Sequence, residues 1–221
     1  MGLSGLFLIL FLIVHCSING MIYFNDEGQT FNHWAHFLGT NLITRILEIG
    51  LFASFLLHII QGLVLWAQNA KARPKGYTKK DSSSNSTWYS RSMGLLGTLI
   101  LLFLILHLYH FWTPSRLGGN FGIHELDETT LAAYNGQDVH NLYAEMLMVF
   151  QNNLWVVIVY VLGCISLAWH LLHGFQSAFQ TMGWNHKKYT PMIKFVGATY
   201  SIIIPAVFAS MPIAMYLGWV N

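Results

Sequence analysis

Charge is what this sequence has least of. Asp, Glu, Lys and Arg make up 9% of its 221 residues, where an ordinary globular domain carries about 25%. So little polar material cannot cover a soluble domain, and none is expected. Cysteine is nearly missing too. Cys16 and Cys164 both lie in apolar stretches and form neither C-x-x-C nor C-x-x-C-H, which excludes thiolate-held metal clusters and covalent haem attachment and leaves two small core residues. There is no Gly-x-Gly-x-x-Gly fingerprint and no flavin domain, so the chain has no dinucleotide-dependent chemistry of its own.

What is present is apolar length, with 54% of residues hydrophobic. They gather into five blocks, approximately 3–23, 42–66, 93–112, 154–175 and 195–216, each near the roughly 20 residues that cross a bilayer. Backbone amides must be paired inside lipid, and the blocks lack the alternation of barrel strands, so the spans are expected to be helices. The fold class is an all-α integral membrane protein, a five-helix bundle forming a single transmembrane domain over 1–221. Residues 1–20 lack a basic region and a small-residue cleavage pattern, so they read as a span rather than a signal peptide.

The few charges are sorted by loop. Lys71, Arg73, Lys75, Lys79, Lys80 and Arg91 lie between the second and third spans, and Lys187, Lys188 and Lys194 between the fourth and fifth. Asp26, Glu27, Glu125, Asp127, Glu128 and Asp138 fill the other loops, with Arg116 as their cation. By the positive-inside rule the basic loops and the N-terminus face the cytoplasm, which makes odd spans run outward and even spans inward. Residues 71–91 read as a flexible polar loop and 113–153 as an external loop. Within the latter, 138–150 has the pattern of a short surface helix with Leu142, Met146 and Phe150 on one face.

Histidine is abundant for so apolar a chain, eleven in all. One histidine on an apolar helix is usually a hydrogen-bonded core residue. Here His15, His58, His107 and His170 occupy four successive spans, where ionisable groups are costly and tend to be functional. His15 and His107 lie late in outward spans, His58 and His170 late in inward ones, so alternating topology sorts them into two levels roughly 12–15 Å apart. Two imidazoles from facing helices make a six-coordinate haem iron with no open position, suited to electron transfer. The expected cofactors are therefore two b-type haems, one held by His58 and His170 near the cytoplasm and one by His15 and His107 near the outside.

Glycines follow the histidines. Gly62 and Gly174 each stand one turn after a proposed ligand, in His58-Ile-Ile-Gln-Gly62 and His170-Leu-Leu-His-Gly174, on the ligand's own face. Gly2 and Gly5 precede His15 by 13 and 10 residues, as Gly94 and Gly97 precede His107. That offset reaches the level of the cytoplasmic haem, where all of them read as clearance for a macrocycle; close helix packing is the plainer alternative. His110 and His173, three residues beyond His107 and His170, are substitute ligands on nearly the same face. His33, His36, His124, His140 and His186 fall in loops or at span edges.

Several segments together resemble one family: the run from Ser4 to His15, Phe31-Asn-His-Trp-Ala-His-Phe37, Leu47-Glu-Ile49, His58-x-x-x-Gly62, Leu106-His-Leu108, and the run from His170 to Gln180. In this order and spacing the chain resembles, over almost its whole length, the single-subunit di-haem cytochrome b membrane anchors of succinate dehydrogenases and fumarate reductases. That resemblance implies the same four axial histidines in the same pairing, with the His58–His170 haem proximal to an iron–sulfur subunit. It implies a flavoprotein and an iron–sulfur protein docked on the cytoplasmic side, and a bacterial cytoplasmic membrane location. The function implied is electron transfer between the iron–sulfur subunit and quinone, with menaquinone the expected quinone. The family's short basic segment ahead of the first helix is not seen here.

A quinone exchanges protons with its electrons, so titratable groups are expected beside one haem. Glu48, ten residues before His58, lies toward the outer edge at the distal haem's side and is the first candidate for proton exchange, with Arg45 and His36 beside it and His33 a weaker candidate. An interfacial ion pair between Arg45 and Glu48, one turn apart, is the plain alternative. On the cytoplasmic side Arg91, with Ser90 and Ser92, suits haem propionates, since guanidinium binds carboxylate bidentately. The same bundle would also serve a hydrogenase or formate dehydrogenase as its quinone-reactive anchor. A histidine-lined metal transporter is a further alternative, but it would mix acidic residues with the histidines at mid-membrane, and the central spans contain none. No nucleic acid is expected among the partners.

Overall fold

The structure is a computed structural model that describes residues 1–72 and 88–220. Most of the expected polar loop, including Arg73, Lys75, Lys79, Lys80 and 81–87, lies outside the described residues. Five helices are long and apolar enough to cross a membrane: Gly2–Phe24, Leu42–Lys71, Met93–Leu117, Leu154–Thr181 and Thr190–Tyr216. The chain is a multi-pass, all-α membrane protein. Each span outruns its apolar block at one or both ends, because helical hydrogen bonding continues through polar residues at the interface. The longest, at 30 residues, is about 45 Å and exceeds the about 30 Å of hydrocarbon.

The first span is α1 (Gly2–Asn19) with a 3-10 turn at Gly20–Phe24. A surface helix α2 (Gln29–Thr40) leads into the second span, α3 (Leu42–Lys71). After the short α4 (Trp88–Arg91), the third span comprises α5 (Met93–His107), a π turn at Leu108–Trp112 and α6 (Thr113–Leu117). Pro114 removes one helical N–H, but the π turn before it and the Thr113 hydroxyl, which donates to the Leu108 and Tyr109 carbonyls at 2.9 and 2.6 Å, meet the carbonyls there, so the span does not stop at Trp112. Strands β1 (Glu128–Leu131) and β2 (Gln137–His140), helix α7 (Leu142–Phe150) and the spans α8 (Leu154–Thr181) and α9 (Thr190–Tyr216) complete the chain.

Four spans close a ring in which α1 packs on α3, α3 on α5, α5 on α8 and α8 on α1; α9 lies outside, against α8 and α1. Small residues set these approaches, since helices in lipid associate by close packing rather than by hydrophobic burial. A Cβ on Gly163 of α8 would come within 2.6 Å of the Phe103 ring on α5, and one on Gly197 of α9 within 2.5 Å of Phe175 on α8. The Tyr200 hydroxyl ties α9 to α1 by donating to the Ile9 carbonyl at 2.7 Å.

The ends of the bundle differ. One carries Lys71, Arg91 and the loop with Lys187 and Lys188. The other is covered by α2, the β1–β2 hairpin and α7, an ordered cap where the sequence suggests loops. His33 and His36 therefore lie on a helix, not in a loop; α2 is too short and too interrupted by polar residues for its apolar pattern to stand out. The helix expected over 138–150 begins only at Leu142, because 137–140 pair antiparallel with 128–131 and the Asn141 side chain then caps α7 by accepting from Ala144 N at 3.0 Å. Met146 and Phe150 are buried as its pattern requires. Asn32 joins α2 to α7, donating to Asn141 Oδ1 at 2.9 Å and accepting from Tyr143 N at 3.0 Å. Gly28 is required beneath this joint: its φ is +75° and a Cβ there would run into the Tyr143 ring. Burial, then the nearby Asp26 carboxylate, raise the Tyr143 phenol above its ordinary pKa.

Candidate functional site

The ring of four spans has two diagonals, α1 to α5 and α3 to α8, and each is bridged by a pair of histidines. His15 of α1 faces His107 of α5 with ring centres 5.7 Å apart, and His58 of α3 faces His170 of α8 at 6.1 Å. Two imidazoles bound to opposite sides of one metal should have centres about 6 Å apart, from about 2 Å per metal–nitrogen bond plus about 1 Å from each nitrogen to its ring centre. Rotation about that axis leaves the angle between ring planes free, so the observed 89° and 60° are both compatible with it. Among the described residues, the Nε2 atoms of these four histidines make no hydrogen bond, and no three His, Cys, Asp or Glu side chains converge. The donor set is thus two separate pairs in the core of a bundle, a usual place for a cofactor.

The His58–His170 level lies toward the basic end. Gly5 of α1 and Gly97 of α5, on the other diagonal, stand here: a Cβ on Gly5 would lie 3.8 Å from His58 Cε1, and one on Gly97 3.8 Å from His170 Cε1. A Cβ on Gly174 would lie 3.9 Å from His170 Cδ2. Cε1 and Cδ2 are the two carbons that flank Nε2, and each has a glycine beside it. Gly2, Gly94 and Gly62 do something else. Gly2 packs on Thr181, a Cβ on Gly94 would come within 2.6 Å of the Trp66 ring, and Gly62 lies beside the Met1 side chain, so these three answer to the packing alternative. Ser4 Oγ donates to Met1 O at 3.1 Å and lies 3.4 Å from His58 Nδ1. With its proton committed, that oxygen can accept from Nδ1–H, the tautomer that leaves Nε2 with a free lone pair.

The His15–His107 level lies ten residues along α1 and α5, about 15 Å nearer the capped end. It is sheathed in rings instead of glycine. Phe11 stacks on His15 at 5.1 Å and Phe103 on His107 at 5.7 Å, each four residues before its histidine, while Phe208 and Phe111 approach at 5.5 and 5.4 Å. Asn19 Nδ2 lies 3.3 Å from His15 Nδ1 and donates to the His15 carbonyl at 2.8 Å. The bond to the carbonyl fixes the amide with its nitrogen toward the ring, so Asn19 offers His15 Nδ1 a donor and no acceptor. The Nδ1 atoms of His107 and His170 are buried without a partner among the described residues.

Beyond this level, Glu48 is held by three side chains. Oε1 accepts from Trp112 Nε1 at 2.7 Å and Arg116 Nε at 3.2 Å; Oε2 accepts from Arg45 at 2.7 Å and Arg116 at 3.3 Å. Arg116 also donates to the Gly39 carbonyl at 3.2 Å, so the cluster pins α2, α3 and the end of the third span together. The ion pair with Arg45 is real and larger than the sequence suggests. His36 sits half-buried on α2, outside this cluster, and His33 stacks on Tyr134 at 3.8 Å. At the basic end Arg91 closes α4, which rests on α8 through Trp88 and Tyr89 against Trp169, the neighbour of His170. Of the two substitute ligands, His110 is engaged by the Tyr160 hydroxyl at 2.9 Å and His173 is half-buried; it is His107 and His170 that face the opposing histidines.

Sequence reasoning missed the aromatic sheath, Tyr160, Ser4, Asn19 and the reach of Arg116. One signal was available. Residues 2–15 and 94–107 are identical at eight of fourteen positions, including Phe11-Leu-Ile-Val-His15 against Phe103-Leu-Ile-Leu-His107, so α1 and α5 present the same face from opposite corners. Arg116 and Glu48 are 68 residues apart, and no local pattern joins them. No protein-family model matches the chain, no curated protein matches its sequence and no solved structure matches its fold.

Proposed function

We propose that the chain is the di-haem cytochrome b membrane anchor of a succinate:quinone oxidoreductase, with the basic end in the cytoplasm. The observation that carries the reading is the pair of diagonal histidine bridges, each at the spacing of two axial ligands. His58 and His170 would hold one haem b, and His15 and His107 the other. Bound there, the haems supply one-electron transfer between an iron–sulfur partner at the basic end and menaquinone at the capped end.

The chain's own residues do the rest. Gly5, Gly97 and Gly174 leave the side-chain-free space that a flat macrocycle needs at the first level. Ser4 orients the His58 imidazole. Phe11, Phe103, Phe111 and Phe208 exclude water at the second level, which favours a low-polarity surround for the iron. Arg91, with Ser90 and Ser92, would meet propionates at the basic end, and the lysines there would meet a flavoprotein and iron–sulfur pair. Glu48, Arg45 and His36 belong to the quinone end. With both oxygens of Glu48 committed, proton exchange through it would require opening an ion pair, so its role in this reading is to anchor the wall of the site.

A haem iron takes two axial imidazoles, whereas a transported bare ion would take three or more ligands. The test is a reduced-minus-oxidised visible spectrum of the purified chain with a haem count. Two low-spin, non-covalent b haems per chain are expected, together with copurification of a flavoprotein and an iron–sulfur protein. One haem, or high-spin iron, overturns the haem assignment, and two haems with a different partner overturn the succinate assignment.

A further inference from the structure

Tyr160 of α8 is 5% exposed, and among the described residues its hydroxyl has one partner, His110 Nδ1 at 2.9 Å, with the two rings stacked 13° from parallel. A buried hydroxyl must place its proton on an acceptor, and His110 Nδ1 is the acceptor within reach. The His110 ring is thereby fixed as the tautomer whose one proton is on Nε2. That N–H has no partner among the described residues, and the ring is only half-buried. His110 is one turn beyond His107 toward the capped end, within the π turn Leu108–Trp112, and such insertions concentrate at functional sites. The turn sends His110 to Tyr160 on one side and Trp112 to Glu48 on the other. Around the couple stand Phe111 and, 69% exposed, Tyr109.

We infer that His110 Nε2–H is the donor that binds a quinone carbonyl at the capped end, with Tyr160 as the positioning residue that keeps the proton on Nε2. This rests on the reading of the chain as a quinone-reactive di-haem anchor, and it moves the quinone contact from the saturated Glu48 to the opposite face of the third span. A quinone is a flat apolar ring with two carbonyl acceptors and no donor, which complements a single N–H set among aromatic rings.

The experiment uses the full chain in membranes with 2,3-dimethyl-1,4-naphthoquinone as probe, its dissociation constant read from equilibrium partition and from perturbation of the haem spectrum. His110→Leu should weaken binding about tenfold, the loss of one hydrogen bond to a buried acceptor. His110→Gln, which can accept from Tyr160 and still donate, should stay within about threefold, and Tyr160→Phe should fall between the two. All three should keep both haems. Unchanged binding in His110→Leu overturns the inference, as does loss of a haem from both His110 variants, which would make His110 a structural or ligating residue. Should His110→Leu fail to assemble, equal affinity of Tyr160→Phe and the unaltered chain overturns it instead. The underlying reading fails separately, if the unaltered chain lacks two haems.

Discussion

The two histidine levels lie within the same four-helix ring, one on each diagonal, yet their surroundings are opposite. At the basic end His58 and His170 are flanked by Gly5, Gly97 and Gly174, and their one ring contact among the described residues is with each other. At the capped end His15 and His107 are each stacked by a phenylalanine one turn earlier and approached by another. Glycine presents no side chain to the histidines it neighbours, whereas the phenylalanines stack directly on theirs. The difference predicts that the basic-end level depends more on what it binds, and the capped-end level more on its own walls.

The largest effect should come from the ligands themselves. His58→Leu and His170→Leu should each abolish the same spectral and redox component, and His15→Leu and His107→Leu the other. Redox titration in membranes checks this, and a His58 variant that matched a His107 variant would break the pairing. Next in size, Gly97→Leu should displace the basic-end haem and spare the other, because the added side chain enters the space beside His170. Haem content per chain measures it, and equal loss at both levels would mean general misfolding in place of local obstruction.

Glu48→Gln probes the capped end without touching a histidine. Removing one charge from a partly exposed cluster of two arginines should cost about 1–2 kcal/mol of stability, seen as a lower thermal midpoint with both haems retained. Quinone turnover per remaining complex should be unchanged; a slower turnover with normal stability would return proton exchange to Glu48. The smallest effect belongs to Ser4→Ala, which removes the acceptor at His58 Nδ1. Retention of the basic-end haem should weaken by about tenfold, the lower end for loss of a partner to a ligand, with the capped-end haem unaffected.

Much of this was legible before any coordinates. A four-fold recurrence of histidine in alternating helices sorts itself into two levels because helix rise is constant, and the repeated ten-residue glycine offset marks where one level meets the opposite corners. Gly5 and Gly97 obey that logic. Gly2 and Gly94 share the same spacing pattern and do not, since Thr181 and Trp66 fill the space beside them, and which neighbour fills a space is not a property of one helix's sequence. The cap was illegible for a related reason: α2 and the β1–β2 hairpin are short, polar, and held by partners such as Asn32 and Asn141, 109 residues apart.

The sequence by itself determined that this chain crosses a membrane five times as helices, that its cations cluster at one end, and that four histidines lie at two depths. These follow from lipid, which forces backbone bonds to be local and punishes charge, so composition and spacing are enough. Only the tertiary structure decided which corners each pair joins, that one level is glycine-lined and the other ring-lined, that Glu48 is saturated by Arg45, Arg116 and Trp112, and that Tyr160 sets the proton on His110. Those depend on side chains from separate helices meeting, and the rotation of one helix against another is fixed by packing that no single span encodes.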